Sequence, residues 1–420
     1  MNLLCIGEIG GGRYFAEAKG LMLGFALFAD MGLTTKRKLG VIMSETILVT
    51  GGAGFIGSHL IPKLLASGYM IRVLDSLSSQ IHGAIPSGLE WLGFNGVEFL
   101  RGDVTKREDW ERALLGVDAI VHLAAETGTG QSMYQVAHYN EVNSQGTALM
   151  FDVLGKARKH RVKRVVLSSS RSVYGEGAYV HSISGARVYP AARGAEQLQK
   201  GMWEPVCPVT KDELRLVATR ETDSVSPASI YASTKYAQED IVRIACQSMG
   251  ISYAILRLQN VYGEGQSLNN PYTGILSIFS TKIRHNHELP LFEDGEESRD
   301  FVHVEDVTDA LHAAVTCKSA LDTVINVGSG IATSVRVVAE ELSRAFNKNP
   351  NVIVTRQFRI GDIRHNYADI NRLREFLGVT PRVSLSEGLQ RFAKWVSEQP
   401  LPEDQLDKAN QELRDRKLMN

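Results

Sequence analysis

The chain has 420 residues and balances 46 Lys and Arg against 47 Asp and Glu, for a formal charge of −1. That length is more than one compact core usually organises, and the near-zero charge provides no global field to draw nucleic acid or anionic lipid. Hydrophobic residues at 44% and charged residues at 22% describe a globular chain and exclude disordered, collagenous and coiled-coil classes.

Residues 1–42 read differently from the rest. The apolar run from Gly20 to Ala29 stops at Asp30, short of the roughly 20 residues a bilayer span needs. Acidic Glu8 and Glu17, with no basic cluster, make a poor secretory signal. Residues 1–42 are therefore expected to be a non-essential extension, with the working protein starting near Met43. From there apolar strands are predicted at 46–50, 70–75, 97–100, 118–122, 163–168 and 252–257, with helices at 56–67, 106–115, 143–160 and 230–249. Short β-rich runs separated by helices mean parallel βαβ units, hence a doubly wound α/β fold of Rossmann type over 43–258. Beyond 258 come short strands at 323–327 and 352–355 and helices near 304–317, 333–346 and 385–398. Residues 259–400 are read mainly as a smaller substrate-binding lobe, some of whose elements return to the first domain. Residues 401–420, largely charged and amide-bearing, are expected to be a frayed helix or mobile tail. The cysteines, Cys5, Cys207, Cys246 and Cys317, are scattered without metal-type pairing, so no metal and a reducing cytoplasm are expected.

Thr50-Gly51-Gly52-Ala53-Gly54-Phe55-Ile56-Gly57 follows the first strand and opens a helix. Glycines there permit a tight turn, backbone approach to a pyrophosphate and close helix packing. The second strand ends at Asp75, where a carboxylate can accept both hydroxyls of an adenosine ribose; Ser76-Leu77-Ser78-Ser79 offers no Arg for a 2′-phosphate, which favours NAD over NADP. Asp103, in Gly102-Asp103-Val104, either approaches the adenine amino group or caps the helix starting near Lys106.

Tyr231-Ala-Ser-Thr-Lys235 sets a phenol and an ammonium on one helix face. Spacing alone is weak, but Ser168-Ser169-Ser170-Arg171-Ser172-Val173-Tyr174-Gly175 places hydroxyls at the carboxyl end of a strand, where ligands lie in such sheets. A phenol with a reference pKa of about 10 needs nearby positive charge to act as a base at neutral pH. Lys235 and a nicotinamide ring would provide it.

The Thr-Gly-x-x-Gly-x-x-Gly loop, Asp75, His122-Leu-Ala-Ala125, Asn143, the Ser-Ser-x-x-Val-Tyr-Gly run, Tyr231/Lys235, Arg299-Asp300 and Asn326-Val-Gly-Ser329 occur in one order. In that order the chain resembles the extended short-chain dehydrogenases/reductases of the NAD-dependent sugar-nucleotide epimerase/dehydratase family, over residues 45 to about 398. The resemblance implies Tyr231 as base, Ser170 as its hydroxyl partner, and Lys235 holding the nicotinamide ribose. Gly51, Gly54, Phe55, Ile56, Gly57, Asp75, Asp103 and Val104 would line the NAD site. Asn260, Arg299 and Arg359 would meet the substrate's diphosphate or sugar, with Phe292 near the base or in the core, and Asn143 would bend a helix. It also implies a homodimer, joined by the helices near 143–160 and 230–249 in a four-helix interface.

Dehydratases of this family carry Thr-Asp-Glu where this chain has Ser170-Arg171-Ser172. Without that acid/base pair, epimerisation at carbon 4 of a nucleotide-diphosphate sugar is expected, through oxidation, rotation of the ketosugar and hydride return. The 55 residues of 176–230 are about twice the usual bridge. With Gln131-Ser-Met-Tyr134, Asn270-Pro-Tyr-Thr-Gly-Ile275 and Gly361-Asp-Ile-Arg-His365, this insertion is similar to that of dTDP-L-rhamnose 4-epimerases, and Val188, Tyr189 and Trp203 are expected to cover a 6-deoxy sugar. A UDP-glucose-type epimerase, a sugar-nucleotide reductase or dehydrogenase, and a non-catalytic NAD sensor are the alternatives. The intact Ser170/Tyr231/Lys235 set speaks against the sensor.

Overall fold

The computed structural model describes residues 44–420 except 84–88, 158–159, 269–273, 405, 417–418 and 420. The expectations for residues 1–42 and for Asn270 to Thr273 lie outside the described residues. Seven strands form the central sheet: β1 (Thr46–Thr50), β2 (Met70–Asp75), β3 (Val97–Arg101), β4 (Ala119–His122), β5 (Arg164–Ser170), β6 (Ser252–Leu258) and β7 (Thr323–Val327). They run in the order β7-β6-β5-β4-β1-β2-β3, every pair parallel. The order reverses between β1 and β4, the switch point outside whose carboxyl ends a ligand crevice opens.

Alternation within β1 explains the layers. Ile47 and Val49 face one core with Leu60, Ile61 and Leu64 of helix α1 (Phe55–Ala66), whereas Leu48 faces the other with Trp110 of α2 (Arg107–Ala113), Met150 of α3 (Gly146–Lys156) and Val242 of α4 (Ile230–Met249). Burial on both faces is why these strands read as continuous apolar runs. Helix α5 (Val304–Thr316) closes the first core through Val307 and Leu311.

One predicted helix, 143–160, is shorter and preceded by a wide π-helical stretch over Asn140–Gln145. Asn143 sits in it, fully buried; its Oδ1 accepts from Glu126 N at 2.8 Å and its Nδ2 donates to Glu126 O at 3.1 Å and Thr234 Oγ1 at 3.0 Å. These bonds to two neighbouring elements hold the local widening, a recurrent cause of such bulges.

The C-terminal lobe has its own core around Phe279, Leu342 and Phe392. Residues 176–230 carry a three-stranded antiparallel sheet, Tyr179–His181, Arg187–Val188 and Leu214–Leu216. An ion cluster ties this insertion to the lobe: Arg193 reaches Glu176 at 3.1 Å and Glu293 at 2.8 Å, and Arg364 shares Glu293 at 3.0 Å. Of the two forms expected for 401–420, a helix is found, Leu406–Asp415. Asp404, just before it, pairs with Lys282 at 2.8 Å and Asn410 is buried, so polar anchors outweigh fraying. Among the described residues no helix is long and apolar enough to cross a membrane.

Candidate active site

At the end of β1 the chain turns through glycines into α1. Gly51 has φ +66° and a Cβ there would lie 2.7 Å from Ala124 N; at Gly57 a Cβ would lie 2.4 Å from Gly52 O. Neither position admits a side chain. Gly54 begins the helix with no side-chain cap, leaving the first amides, from Phe55 and Ile56 to Gly57, for an anion. Asp75 accepts from Ala53 N at 3.0 Å through Oδ2 and from Leu77 N at 2.8 Å through Oδ1, tying its carboxylate to the loop. Asp103 Oδ1 accepts from Thr105 N and Thr105 Oγ1, both at 2.9 Å, so its carboxylate shapes the turn before α2. Val104 is buried, and its carbonyl accepts from Trp110 Nε1 at 2.7 Å. A bare helix N-terminus beside a glycine turn that excludes any Cβ, with an acid closing the neighbouring strand, fits a dinucleotide.

Beyond the carboxyl end of β5 the predicted trio converges. Ser229 caps α4, its Oγ accepting from Ala232 N at 3.1 Å, which places Tyr231 in the first turn and Lys235 one turn on. The Ser170 Oγ accepts from Ser172 N at 3.2 Å. Burial pushes the Tyr231 phenol up, with the neighbouring Ser170 hydroxyl and the Arg171 charge acting against it. Lys235 Nζ donates to Ser168 O at 2.7 Å and to Gln238 Oε1 at 2.9 Å. Burial pulls its ammonium down to about 7, against the raising charge of Glu239.

A buried polar chain beneath this trio escaped the sequence reading. Gln238 Nε2 donates to Thr147 Oγ1 at 2.7 Å, Thr147 lies 2.9 Å from His122 Nε2, and His122 Nδ1 lies 2.7 Å from Thr50 Oγ1. Burial, then the Lys235 charge, pulls His122 down to about 3, so the ring is neutral near pH 7. Glu239 accepts from Ser169 Oγ at 2.5 Å and from both Arg257 Nε at 2.9 Å and Nη2 at 2.7 Å. Gln238 and Glu239 stand three and four residues after Lys235, a spacing that signals one helix face. Thr147 and Arg257 carry no such signal.

On the lobe side a cavity of 270 Å³ is lined by Asn260, Arg299, Arg359, Phe292, Glu297 and Leu406, among others. Arg299 donates to Ser298 O and Arg364 O, both at 2.9 Å, and to Ile363 O at 2.7 Å, so it braces the 359–365 loop while facing the cavity. Arg359 lies 4.6 Å over the Phe292 ring, bonds Asn410 at 3.0 Å, and has a buried Nε without a partner among the described residues. Phe292 is thus a cavity residue. Val188, Tyr189 and Trp203 are not among the residues lining this cavity. The Tyr189 hydroxyl bonds Asp223 at 2.9 Å and Trp203 packs on Phe358 at 6.4 Å, because the ion cluster holds the insertion against the lobe's flank. Among the described residues no cluster of ligating side chains could hold a metal ion.

A doubly wound sheet with this cradle and a Ser, Tyr, Lys constellation at its strand ends defines a dinucleotide-dependent enzyme. Residues 47–193 and 208–328 match the model of the NAD dependent epimerase/dehydratase family, and the chain belongs to that family; NAD is its cofactor. The unmatched gap falls inside the insertion. A dTDP-L-rhamnose 4-epimerase of Burkholderia thailandensis is 37% identical over 86% of this chain and 97% of its own length. The crystal structure of a UDP-glucose 4-epimerase from Thermotoga maritima with UDP-glucose superposes with a TM-score of 0.66 at 29% identity, covering 84% of this chain and 99% of that one. A dTDP-glucose 4,6-dehydratase from Streptomyces venezuelae with NAD bound gives a TM-score of 0.67 at 27% identity, covering 84% and 97%.

Proposed function

We propose that the protein epimerises carbon 4 of a nucleotide-diphosphate sugar, with dTDP-L-rhamnose and its 4-epimer as the preferred pair. The glycine turn from Gly51 to Gly57 and Asp75 would hold NAD, with Asp103, Val104 and Lys235 completing its site. Bound NAD supplies a hydride acceptor and donor. Ser170 would orient the sugar's C4 hydroxyl, and Tyr231 as phenolate would take its proton as the carbon becomes a ketone. Asn260, Arg299 and Arg359 would keep the diphosphate while the ketosugar rotates, and Tyr231 would return the proton once hydride has been given back to the opposite face.

The observation that carries the reading is the identity at 171 and 172. Arg171 and Ser172 stand where a dehydratase needs Asp and Glu, so water elimination lacks its agents while the proton acceptor remains. The choice of sugar is supported by the 37% identity over 97% of the rhamnose-type relative. Each nucleotide sugar of a panel should be incubated with the holoenzyme and read by NMR. Epimer formation without added reductant is the expected result; net NADH consumption would make it a reductase, and a higher kcat/KM with UDP-glucose would replace the sugar while leaving the mechanism. We further propose a homodimer through the outer faces of α3 and α4, where Leu149 and Ile241 are only partly buried and Ile244 is 57% exposed.

A further inference from the structure

We propose that Thr147 and Gln238 are positioning residues: with His122 and Thr50 they form a one-way hydrogen-bond chain from the glycine turn to α4, which presents the Gln238 amide oxygen to Lys235 and so fixes the Lys235 ammonium for NAD. The proposal rests on the reading of Lys235 as a residue of the NAD site. The direction of the chain follows from its middle. Thr147 Oγ1, in the first turn of α3, lies 2.6 Å from Asn143 O. A carbonyl only accepts, so the hydroxyl spends its single hydrogen there and can only accept from its other neighbours. Those are the Gln238 side-chain nitrogen at 2.7 Å and His122 Nε2 at 2.9 Å. Both must donate. The Gln238 amide therefore turns Nε2 to Thr147, and the neutral His122 ring carries its one hydrogen on Nε2, leaving Nδ1 to accept from Thr50 Oγ1 at 2.7 Å. The 3.5 Å approach of Gln238 Nε2 to His122 Nε2 is then a contact between two donors, beyond the usual range of a hydrogen bond.

Each end of the chain meets the NAD site. Thr50 is the last residue of β1, and its Oγ1 also accepts from Ala124 N at 3.2 Å, the same amide that bars a Cβ from Gly51. At the other end, with Nε2 committed to Thr147, Gln238 Oε1 accepts from Lys235 Nζ at 2.9 Å. The second acceptor for Lys235 is Ser168 O at 2.7 Å. Both oxygens are neutral, so the two bonds hold the ammonium without cancelling its charge, and one of its three donors is left over. Glu239, the next acid on α4, is taken by Arg257 at 2.9 and 2.7 Å and by Ser169 at 2.5 Å, so its charge is engaged elsewhere. Thr50, His122, Thr147 and Gln238 are all buried. A broken link would leave a donor or acceptor unpaired away from water, which is why the chain acts as one unit.

The test follows NAD retention in the holoenzyme, as the rate at which bound NAD exchanges with an excess of labelled NAD. Thr147→Val removes the hydroxyl and keeps the shape; Gln238→Met keeps the length and loses both polar atoms. Each should speed exchange about tenfold, the scale of one hydrogen bond to a charged group, whereas Thr147→Ser, which keeps the hydroxyl, should retain NAD as the wild type does. The double variant should exchange no faster than the faster single one, because both cut the same chain. Carbon-13 labelling of histidine should show the His122 ring as the Nε2–H tautomer. Unchanged exchange in both single variants, with Lys235→Met faster, overturns the proposal and leaves Lys235 at NAD. Unchanged exchange in Lys235→Met as well overturns both readings. Multiplying effects in the double variant, or an Nδ1–H ring at His122, overturn the chain. If Thr147→Val or Gln238→Met does not fold, Thr147→Ala and Gln238→Leu take their places, and the histidine spectrum needs no variant. None of these measurements needs turnover, so they decide the point even if no sugar nucleotide proves to be a substrate.

Discussion

In the proposed reaction two side chains, at the end of β5 and in the first turn of α4, concentrate the chemistry. Tyr231→Phe deletes the proposed proton acceptor and leaves the ring, so NAD binding should persist while kcat falls by about 10²–10⁴-fold; a loss of only a few-fold in steady-state assay would exclude the phenol as base. His122 carries a pH signature. Its folded pKa, pulled down to about 3 first by burial, is below the ordinary imidazole value of about 6.5. The unfolded chain therefore binds the extra proton between these values. The stability this represents is complete above pH 6.5 and is lost as pH falls towards 3, an effect on the order of a few kcal/mol. In urea unfolding at a series of pH values, His122→Gln should flatten the slope over that window, whatever its offset at pH 7. Tyr231, Lys235 and Ser170 were legible because each lies in a short motif. His122 was visible as part of a motif but without a role, since its role comes from Thr50, Thr147 and Gln238, which three other elements deliver.

Elements decide how firmly those residues are placed. The Ser229 hydroxyl caps α4 at the turn that carries Tyr231. Ser229→Ala should cost about 1 kcal/mol in chemical denaturation, and kcat should fall more than KM changes because the phenol sits two residues away. The Leu406–Asp415 helix supplies Asn410 to Arg359 and Leu406 to the cavity. Asn410→Ala should therefore raise the sugar-nucleotide KM severalfold in steady-state assay with NAD affinity unchanged, as Asn410 holds Arg359 and not the glycine turn. Strand positions were readable to within two residues, most clearly for β1, β4, β5 and β6, which are buried on both faces and run apolar. The resemblance marked Asn143 as a residue that bends its helix, but the π-helical form of the 140–145 stretch depends on what Asn143 touches across 17 and 91 residues of chain. The terminal helix is polar along much of its length, so its local sequence left open whether it would be a helix or a tail, whereas Asn410 reaches Arg359 across 51 residues of chain.

For the whole molecule the insertion and the oligomer are the open stakes. Arg193 is 1% exposed at its side chain and joins Glu176, Glu293 and the carbonyls of Trp203 and Asp362. Arg193→Ala leaves two buried carboxylates short of a partner, so a loss of about 3–5 kcal/mol is expected in thermal or chemical unfolding. Phe151 is buried in its own subunit's core and needs no partner, which leaves Leu149, Ile241 and Ile244 to form any contact between copies. Sedimentation at micromolar concentration should give a dimer, and Ile244→Lys should shift it towards monomer without unfolding it.

The α/β class, the cradle for NAD and the Ser, Tyr, Lys set follow from sequence alone, because each depends on residues close together in the chain: an apolar period, a strand-to-helix glycine turn, a four-residue spacing on a helix. Other properties arise only once distant segments meet. The insertion's position against the lobe, and so the failure of Val188, Tyr189 and Trp203 to line the cavity, depends on ion pairs between residues 176, 193, 293 and 364. Which charges cancel and which remain is settled by the three-dimensional pairing of Glu239 with Arg257, Glu126 with His138 and Arg299 with Asp362, and no local pattern encodes that pairing.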